Sequence, residues 1–376
     1  MRILFTGGGT GGHFYPIIAI AEEVNSLVKE KRLLAPELYY MSPTPYNEGV
    51  LFEHDIIYKK NSAGKLRRYF SVLNFFDLFR TAWGVFVSVV QVWRLYPDVV
   101  FGKGGYASFP ALLAARILRI PVVIHESDTV PGRVNAWAGK FATRIAVSYA
   151  EAAAYFPKDR VALTGQPVRR DIAAPISDGA REYLKLEPNL PVILILGGSQ
   201  GSGIINDIVI EGLNELVEKY EIIHQVGEKN IAEVESTSRA VLASSTHKDR
   251  YKPFDYLNAL AMRMAAGVAS VVVSRAGSTI FEIASWDVPS IIVPISEKVS
   301  HDQRSNAFAY ARAGAGEVIE EENLTSHVLS AEIERLVTNQ GAREAMKTAA
   351  KAFYKPDAAK LVAEEIVKIA LSHEID

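Results

Sequence analysis

Two short stretches, about 190 residues apart, restrict the fold more than anything else in this chain. In RILFTGGGTGGHFYP (residues 2–16), the strand-forming run Arg2 to Phe5 leads into five glycines within six positions, and the helical pattern IIAIAEEVNSLVKE follows. In PVILILGGSQGSGIIND (191–207), an apolar run again ends in a glycine-rich turn and a helix start. Glycine sacrifices backbone entropy, so a loop this rich in it brings the backbone close to something. A strand, a glycine turn and a helix open a parallel α/β unit. Two such openings imply an α/β fold of two Rossmann-like domains with a cleft between them.

The rest of the pattern agrees. Apolar runs at Leu38–Met41, Asp98–Phe101, Pro121–Ile124, Arg144–Val147, Glu221–Gln225, Ser270–Ser274 and Ser290–Val293 alternate with amphipathic stretches. The alternation breaks in PKDRVALTGQPVRRDIAAP (157–175), with three prolines and several charges, which reads as a linker. We therefore expect a first domain over 1–165 and a second over 166–355. A last helix within 356–376 should pack back on the first domain. A chain of 376 residues exceeds one ordinary core, which suits two. A net charge of −2 gives no reason to expect nucleic acid as a partner. The absence of cysteine excludes a disulfide framework and a thiolate metal site. One basic and a few apolar residues precede the first glycine loop without a signal-peptide pattern, so a cytoplasmic protein is expected. No cofactor and no metal are expected.

A glycine loop at a strand-to-helix junction offers free N–H groups at the positive end of a helix dipole, which suits an anion. Gly7, Gly9 and Gly12 match the dinucleotide spacing. That reading also wants an acidic residue after the second strand, and LYYMSPTPY offers Ser42 instead. A tight turn that merely packs remains the alternative. Two loops, one per half, point to a phosphate-bearing ligand. His13 can take a proton from a hydroxyl or simply pack at the helix start. Arg169 in GQPVRR suits phosphate or a surface ion pair. Glu282 suits ribose hydroxyls or a helix dipole.

GGGTGGHFYP, GKGGYASFPALLAA, IPVVIHES, TGQPVR, LGGSQGSGIIND, SRAGSTIFEIA and HDQRSNA occur here in the order seen in the MurG family, which the chain resembles from Arg2 to about Leu336. These are peptidoglycan N-acetylglucosaminyltransferases of GT-B architecture that convert lipid I to lipid II. The resemblance implies UDP-N-acetylglucosamine as donor and an undecaprenyl-diphosphate-linked muramyl pentapeptide as acceptor, with inversion at the transferred sugar. It implies donor contacts at Thr10, Gly11, Gly12, Asp128, Arg169, Ser199, Gln200, Leu257, Ser278, Thr279, Glu282 and Gln303. Acceptor contacts are implied at Gly9, Tyr106, His125 and Asn206, with His13 and Glu126 as catalytic groups; Glu48 is a further base to test. The family commonly reads HEQN where this chain reads HESD, which puts a carboxylate at Asp128 in place of an amide. A related sugar-nucleotide enzyme (a glycolipid synthase or a UDP-N-acetylglucosamine epimerase) and a non-catalytic membrane-surface scaffold are the competing readings.

The segment 65–95 begins with Lys65, Arg67 and Arg68 and continues with dense aromatics. Asn74, Asp77 and Arg80 rule out a spanning helix. A basic–aromatic face suits the surface of an anionic membrane, while much of the segment should cover the sheet as core. The expected location is peripheral, on the cytoplasmic face of the cell membrane.

Overall fold

A computed structural model describes residues 1–64, 73–198, 201–296 and 301–372. Among the described residues, thirteen strands form two parallel sheets, each within its own compact unit. The first unit comprises Met1–Arg169 with Lys355–Asp376, the second Arg170–Tyr354.

In the first unit the strands are β1 (Arg2–Thr6), β2 (Glu37–Ser42), β3 (Ile56–Lys60), β4 (Val99–Gly102), β5 (Val122–Glu126), β6 (Arg144–Val147) and β7 (Val161–Leu163), in the order β3-β2-β1-β4-β5-β6-β7. Ile3, Leu4 and Phe5 are wholly buried because helices cover both faces of a parallel sheet. One face packs on the helix Gly11–Glu30, through Ile17, Ile18 and Val24, and on the final helix Ala358–Leu371. Val362, Ala363, Ile366 and Val367 of that final helix are buried in this core. Burying each larger aliphatic side chain contributes roughly 1.5–3 kcal/mol, enough to hold the C-terminal helix on the first unit. Arg144 adds an ion pair to Glu365 at 2.8 Å.

The second unit holds β8 (Val192–Leu196), β9 (Glu221–Gln225), β10 (Tyr251–Phe254), β11 (Ala269–Ser274), β12 (Ser290–Ile292) and β13 (Glu317–Val318), in the order β10-β9-β8-β11-β12-β13. The run VILIL of β8 is the buried centre of this sheet.

Four strands lie outside the runs that the sequence pattern marked. β3 and β10 are edge strands, β10 with Pro253 where a sheet interior would not tolerate it. β7 lies inside the stretch read as a linker, and β13 is only two residues long. Edge strands are half solvated, so their sequences lack the continuous apolar run of a central parallel strand.

Candidate functional site

Each sheet has one point where the strand order reverses, and open α/β sheets bind ligands at the carboxyl ends of strands there. In the first unit it lies between β1 and β4, in the second between β8 and β11. The two glycine-rich turns of the sequence follow β1 and β8.

After β1, Gly8 has a φ of +133°, and a Cβ there would stand 2.7 Å from Ser42 Oγ. Part of the loop's glycine therefore serves close packing. Gly9 and Thr10 form its exposed rim, with Tyr106, itself 37 % exposed, beside Gly9. Thr10 precedes the helix Gly11–Glu30, and Gly11 and Gly12 are its first residues, so N–H groups of its first turn point away from the helix. His13 is half-buried, and its Nδ1 lies 2.9 Å from Thr10 Oγ1. Burial, reinforced by the charge of Lys103, lowers its imidazole to about 4. His13 is therefore neutral at pH 7.

Beside it, the turn after β4 carries Lys103, Gly104 and Gly105. Both glycines have positive φ, and a Cβ on Gly104 would meet the Asn135 amide at 2.8 Å. Lys103 is 2 % exposed. Its Nζ donates to His125 Nδ1 at 2.9 Å and to Ser127 Oγ, and lies 3.5 Å from Gln166 Oε1. An ammonium only donates, so His125 Nδ1 accepts and its Nε2–H donates to Gly165 O at 2.9 Å. Burial lowers Lys103 to about 8, against the pull of Glu126 and Asp128. Burial also holds His125 well below the ordinary range, aided by Lys103.

Glu126 ends β5, and its carboxylate organises the next turn. Oε1 accepts from the backbone N–H groups of Ser127 (2.8 Å) and Asp128 (3.0 Å). Oε2 accepts from Gly132 N–H (3.1 Å) and Asn135 Nδ2 (3.0 Å). Burial, with Asp128 nearby, pushes this carboxyl up to about 7 despite those bonds. Glu126 is 4 % exposed, with each oxygen already accepting two donors. Glu126, expected as a catalytic group, is engaged here in holding the turn. His125, expected as an acceptor contact, is wholly buried in the same network. Asp128 is half-buried on the same turn. Arg169 stacks its guanidinium over the Tyr15 ring at 4.3 Å, within the first unit.

In the second unit, Ser278 immediately precedes the helix Thr279–Ser285, and Glu282 sits half-buried in its first turn. A Cβ on Gly277 would stand 4.0 Å from Gln303 Nε2, while Gln303 Oε1 accepts from Ile295 N–H at 3.3 Å. Ser278, Thr279, Glu282 and Gln303 therefore gather at the carboxyl ends of β11 and β12. Arg275, on the turn after β11, joins that turn to neighbouring segments. Its guanidinium donates to Ser202 Oγ (2.6 Å) and Val293 O (3.2 Å) and pairs with Glu321 at 2.7 Å. The sequence reading missed Arg275 although SRAG flagged its position.

Two expected contacts face inward. Asn206, expected as an acceptor contact, is 2 % exposed and donates to Val226 O at 3.2 Å. Leu257 is also 2 % exposed, and its N–H is taken by Gln225 Oε1 at 3.0 Å. Ser199 and Gln200 lie outside the described residues, as do Lys65, Arg67 and Arg68. Glu48 opens the short helix Glu48–Glu53.

The helix Leu73–Leu95 turns Phe79, Trp83, Phe86 and Trp93 to one side, each about 60 % exposed. Steps of four, three and seven residues place them within a narrow arc of a helix. Among the described residues, no helix is long and apolar enough to cross a membrane, and no group of three or more His, Asp or Glu is placed to hold a metal ion.

Residues 3–147 match the glycosyltransferase family 28 N-terminal domain, and residues 192–362 the glycosyltransferase family 28 C-terminal domain. A Bacillus thuringiensis subsp. konkukian protein is 35 % identical over 97 % of this chain and 99 % of its own. It is named UDP-N-acetylglucosamine--N-acetylmuramyl-(pentapeptide) pyrophosphoryl-undecaprenol N-acetylglucosamine transferase 2. Among solved structures, Acinetobacter baumannii MurG superposes with a TM-score of 0.71 at 24 % identity, covering 98 % of this chain and 99 % of that one. The UDP-GlcNAc 2-epimerase from Neisseria meningitidis, bound to UDP-GlcNAc, gives 0.68 at 16 % identity, covering 98 % and 100 %. Both share the fold.

Proposed function

The chain belongs to glycosyltransferase family 28, and from that premise we propose that it moves N-acetylglucosamine from UDP-N-acetylglucosamine to the muramyl 4-hydroxyl of lipid I, giving lipid II. The observation that supports this most is a polar loop cluster at the reversal point of each sheet, in a chain 35 % identical over nearly its full length to a transferase of that name.

In this reading the second unit holds the nucleotide. Glu282 accepts both ribose hydroxyls, Ser278 and Thr279 meet the diphosphate, and Gln303 contacts the sugar. Thr10 to Gly12 offer N–H groups and a hydroxyl to phosphate, and Arg169 adds charge to it, while Asp128 accepts from a sugar hydroxyl. Gly9 and Tyr106 form the rim against which the acceptor lies. In the tautomer whose Nδ1–H donates to Thr10 Oγ1, which this role requires, His13 Nε2 presents its lone pair. The muramyl O4 attacks the anomeric carbon with inversion, and its proton passes to His13. The bond from that carbon to the β-phosphate oxygen breaks, and its electron pair leaves with UDP. Donors aimed at the diphosphate stabilise the charge that develops there.

The exposed aromatic face of the helix Leu73–Leu95 supports peripheral contact with an anionic membrane on the cytoplasmic side, where a lipid-linked acceptor is met. The test of the function is transfer of labelled N-acetylglucosamine to a lipid-I analogue, with UDP measured in parallel. Equal amounts of disaccharide product and UDP are expected. Epimerised nucleotide sugar with an untouched acceptor would overturn the reading.

A further inference from the structure

We infer that Lys103 is a positioning residue of the transfer site: its ammonium, sealed beneath the turn after β5, holds that turn through His125 and Ser127, and its stem lies against the loop that leads to His13. The inference rests on the proposed role of His13 only where it concerns turnover.

The geometry carries it. β1 and β4 are neighbours in the sheet, so the turns that follow them lie side by side. Lys103 N–H donates to Thr6 O at 2.9 Å, the last residue before the glycine loop. A Cβ on Gly7 would stand 3.0 Å from Lys103 Cβ, and one on Gly105 would stand 3.6 Å from His13 Nε2. The lysine stem thus lies against the loop that leads to His13, and the imidazole against the turn that carries the lysine. At its far end the ammonium meets His125 Nδ1, Ser127 Oγ and Gln166 Oε1. Gln166 Oε1 also accepts from Ser127 Oγ and Ser148 Oγ, each at 2.9 Å. Removing the ammonium would loosen a turn whose other anchor is Glu126.

Tyr40 and Tyr46 present their hydroxyls to the glycine loop near Gly8 and Gly11. Lys103 is faced by His125 and Glu126 from β5 and by Asp128 from the following turn. His13 is faced by Lys103, with Tyr106 at the rim of its loop, and Arg169 is engaged with Tyr15 on the same helix. Lys103 is the buried cation among them. Burial alone already disfavours imidazolium at His13, and the neighbouring ammonium adds to that effect.

The experiment is a titration of histidine side chains by nitrogen-15 NMR on the full chain without substrates, with His13 identified by its loss in His13→Asn. Parent, Lys103→Met and Lys103→Gln are compared, and UDP binding reports an intact second unit. Glutamine removes the charge while keeping a donor toward His125 and Ser127; methionine removes both. The His13 midpoint is expected to rise by about one pH unit in both variants. Turnover should fall by about tenfold more in the methionine variant, the loss of one hydrogen bond's worth of positioning. An unmoved His13 midpoint in variants that bind UDP normally would overturn the inference. If methionine prevents folding, the glutamine variant alone decides. A midpoint that moves while the acid limb of kcat/KM stays still would support Lys103 as assigned and overturn His13 as the base.

Discussion

Replacing Glu126 by glutamine separates two explanations for a carboxylate at this position. The side chain accepts four N–H donors, two at each oxygen, from Ser127, Asp128, Gly132 and Asn135. Glutamine keeps the shape but puts an NH₂ group where one oxygen stood, so two donors then face a donor. Hydrogen bonds to a charged acceptor contribute about 1.5–3 kcal/mol each. Asn135 Oδ1 has no partner among the described residues, but rotating Asn135 to offer it would break the bond that its Nδ2 donates to His125 O at 2.9 Å, so no bond is recovered. A net destabilisation of at least about 3 kcal/mol follows, a large share of a typical total of roughly 5–15 kcal/mol. Alanine leaves all four donors buried without an acceptor and should cost at least about 4 kcal/mol. Urea denaturation of parent and variant, followed by single-turnover transfer at a temperature where both are folded, makes the comparison. A proton-abstracting base would behave in the opposite way, with stability unchanged and turnover down by about 10²–10⁴-fold. A glutamine variant as stable as the parent but inactive would refute the turn-holding role.

Four further expectations concern both units. His13→Ala should lower turnover about 10²–10⁴-fold with UDP affinity unchanged, and normal single-turnover transfer would remove the base role. Glu282→Ala should weaken UDP binding by about 2–3 kcal/mol in calorimetry; equal affinity with an intact fold would sink the ribose assignment. His224 is wholly buried, with Nδ1 3.0 Å from Tyr251 OH, and burial lowers it to about 3. Its unfolded form takes a proton below about pH 6.5 while the folded form does not, so this contribution is complete above that pH and lost as pH falls toward 3, on the order of 4 kcal/mol in all. His224→Phe should flatten the acid side of a stability-versus-pH curve, and an unchanged slope would show that another group governs it. Trp83→Ala with Phe86→Ala should reduce sedimentation with anionic vesicles several-fold while leaving UDP affinity alone; undiminished sedimentation would place the contact elsewhere.

Much of the architecture was legible in the chain itself. The runs Ile3–Phe5 and Val192–Leu196 are continuous because central parallel strands are buried on both faces, and each feeds a glycine turn and a helix. The final helix buries the face on which its apolar positions recur at helical spacing. Placing the first glycine loop and His13 at a strand end needed no more than that local grammar. Edge strands were less legible because half-solvated residues carry no such pattern.

The direction in which each polar side chain points was decided only in three dimensions. Nothing in GKGGYASFP distinguishes a solvated lysine from a buried one. The partners of Lys103 lie 22, 24 and 63 residues further along the chain. Glu126, His125, Asn206 and Leu257 each sit in a stretch that reads as a binding loop, yet each is turned inward. Local sequence sets which residues reach the end of a strand. Which of them face a ligand depends on strand order, since the neighbouring loops that satisfy a buried hydrogen-bonding group are chosen by the sheet and not by the chain.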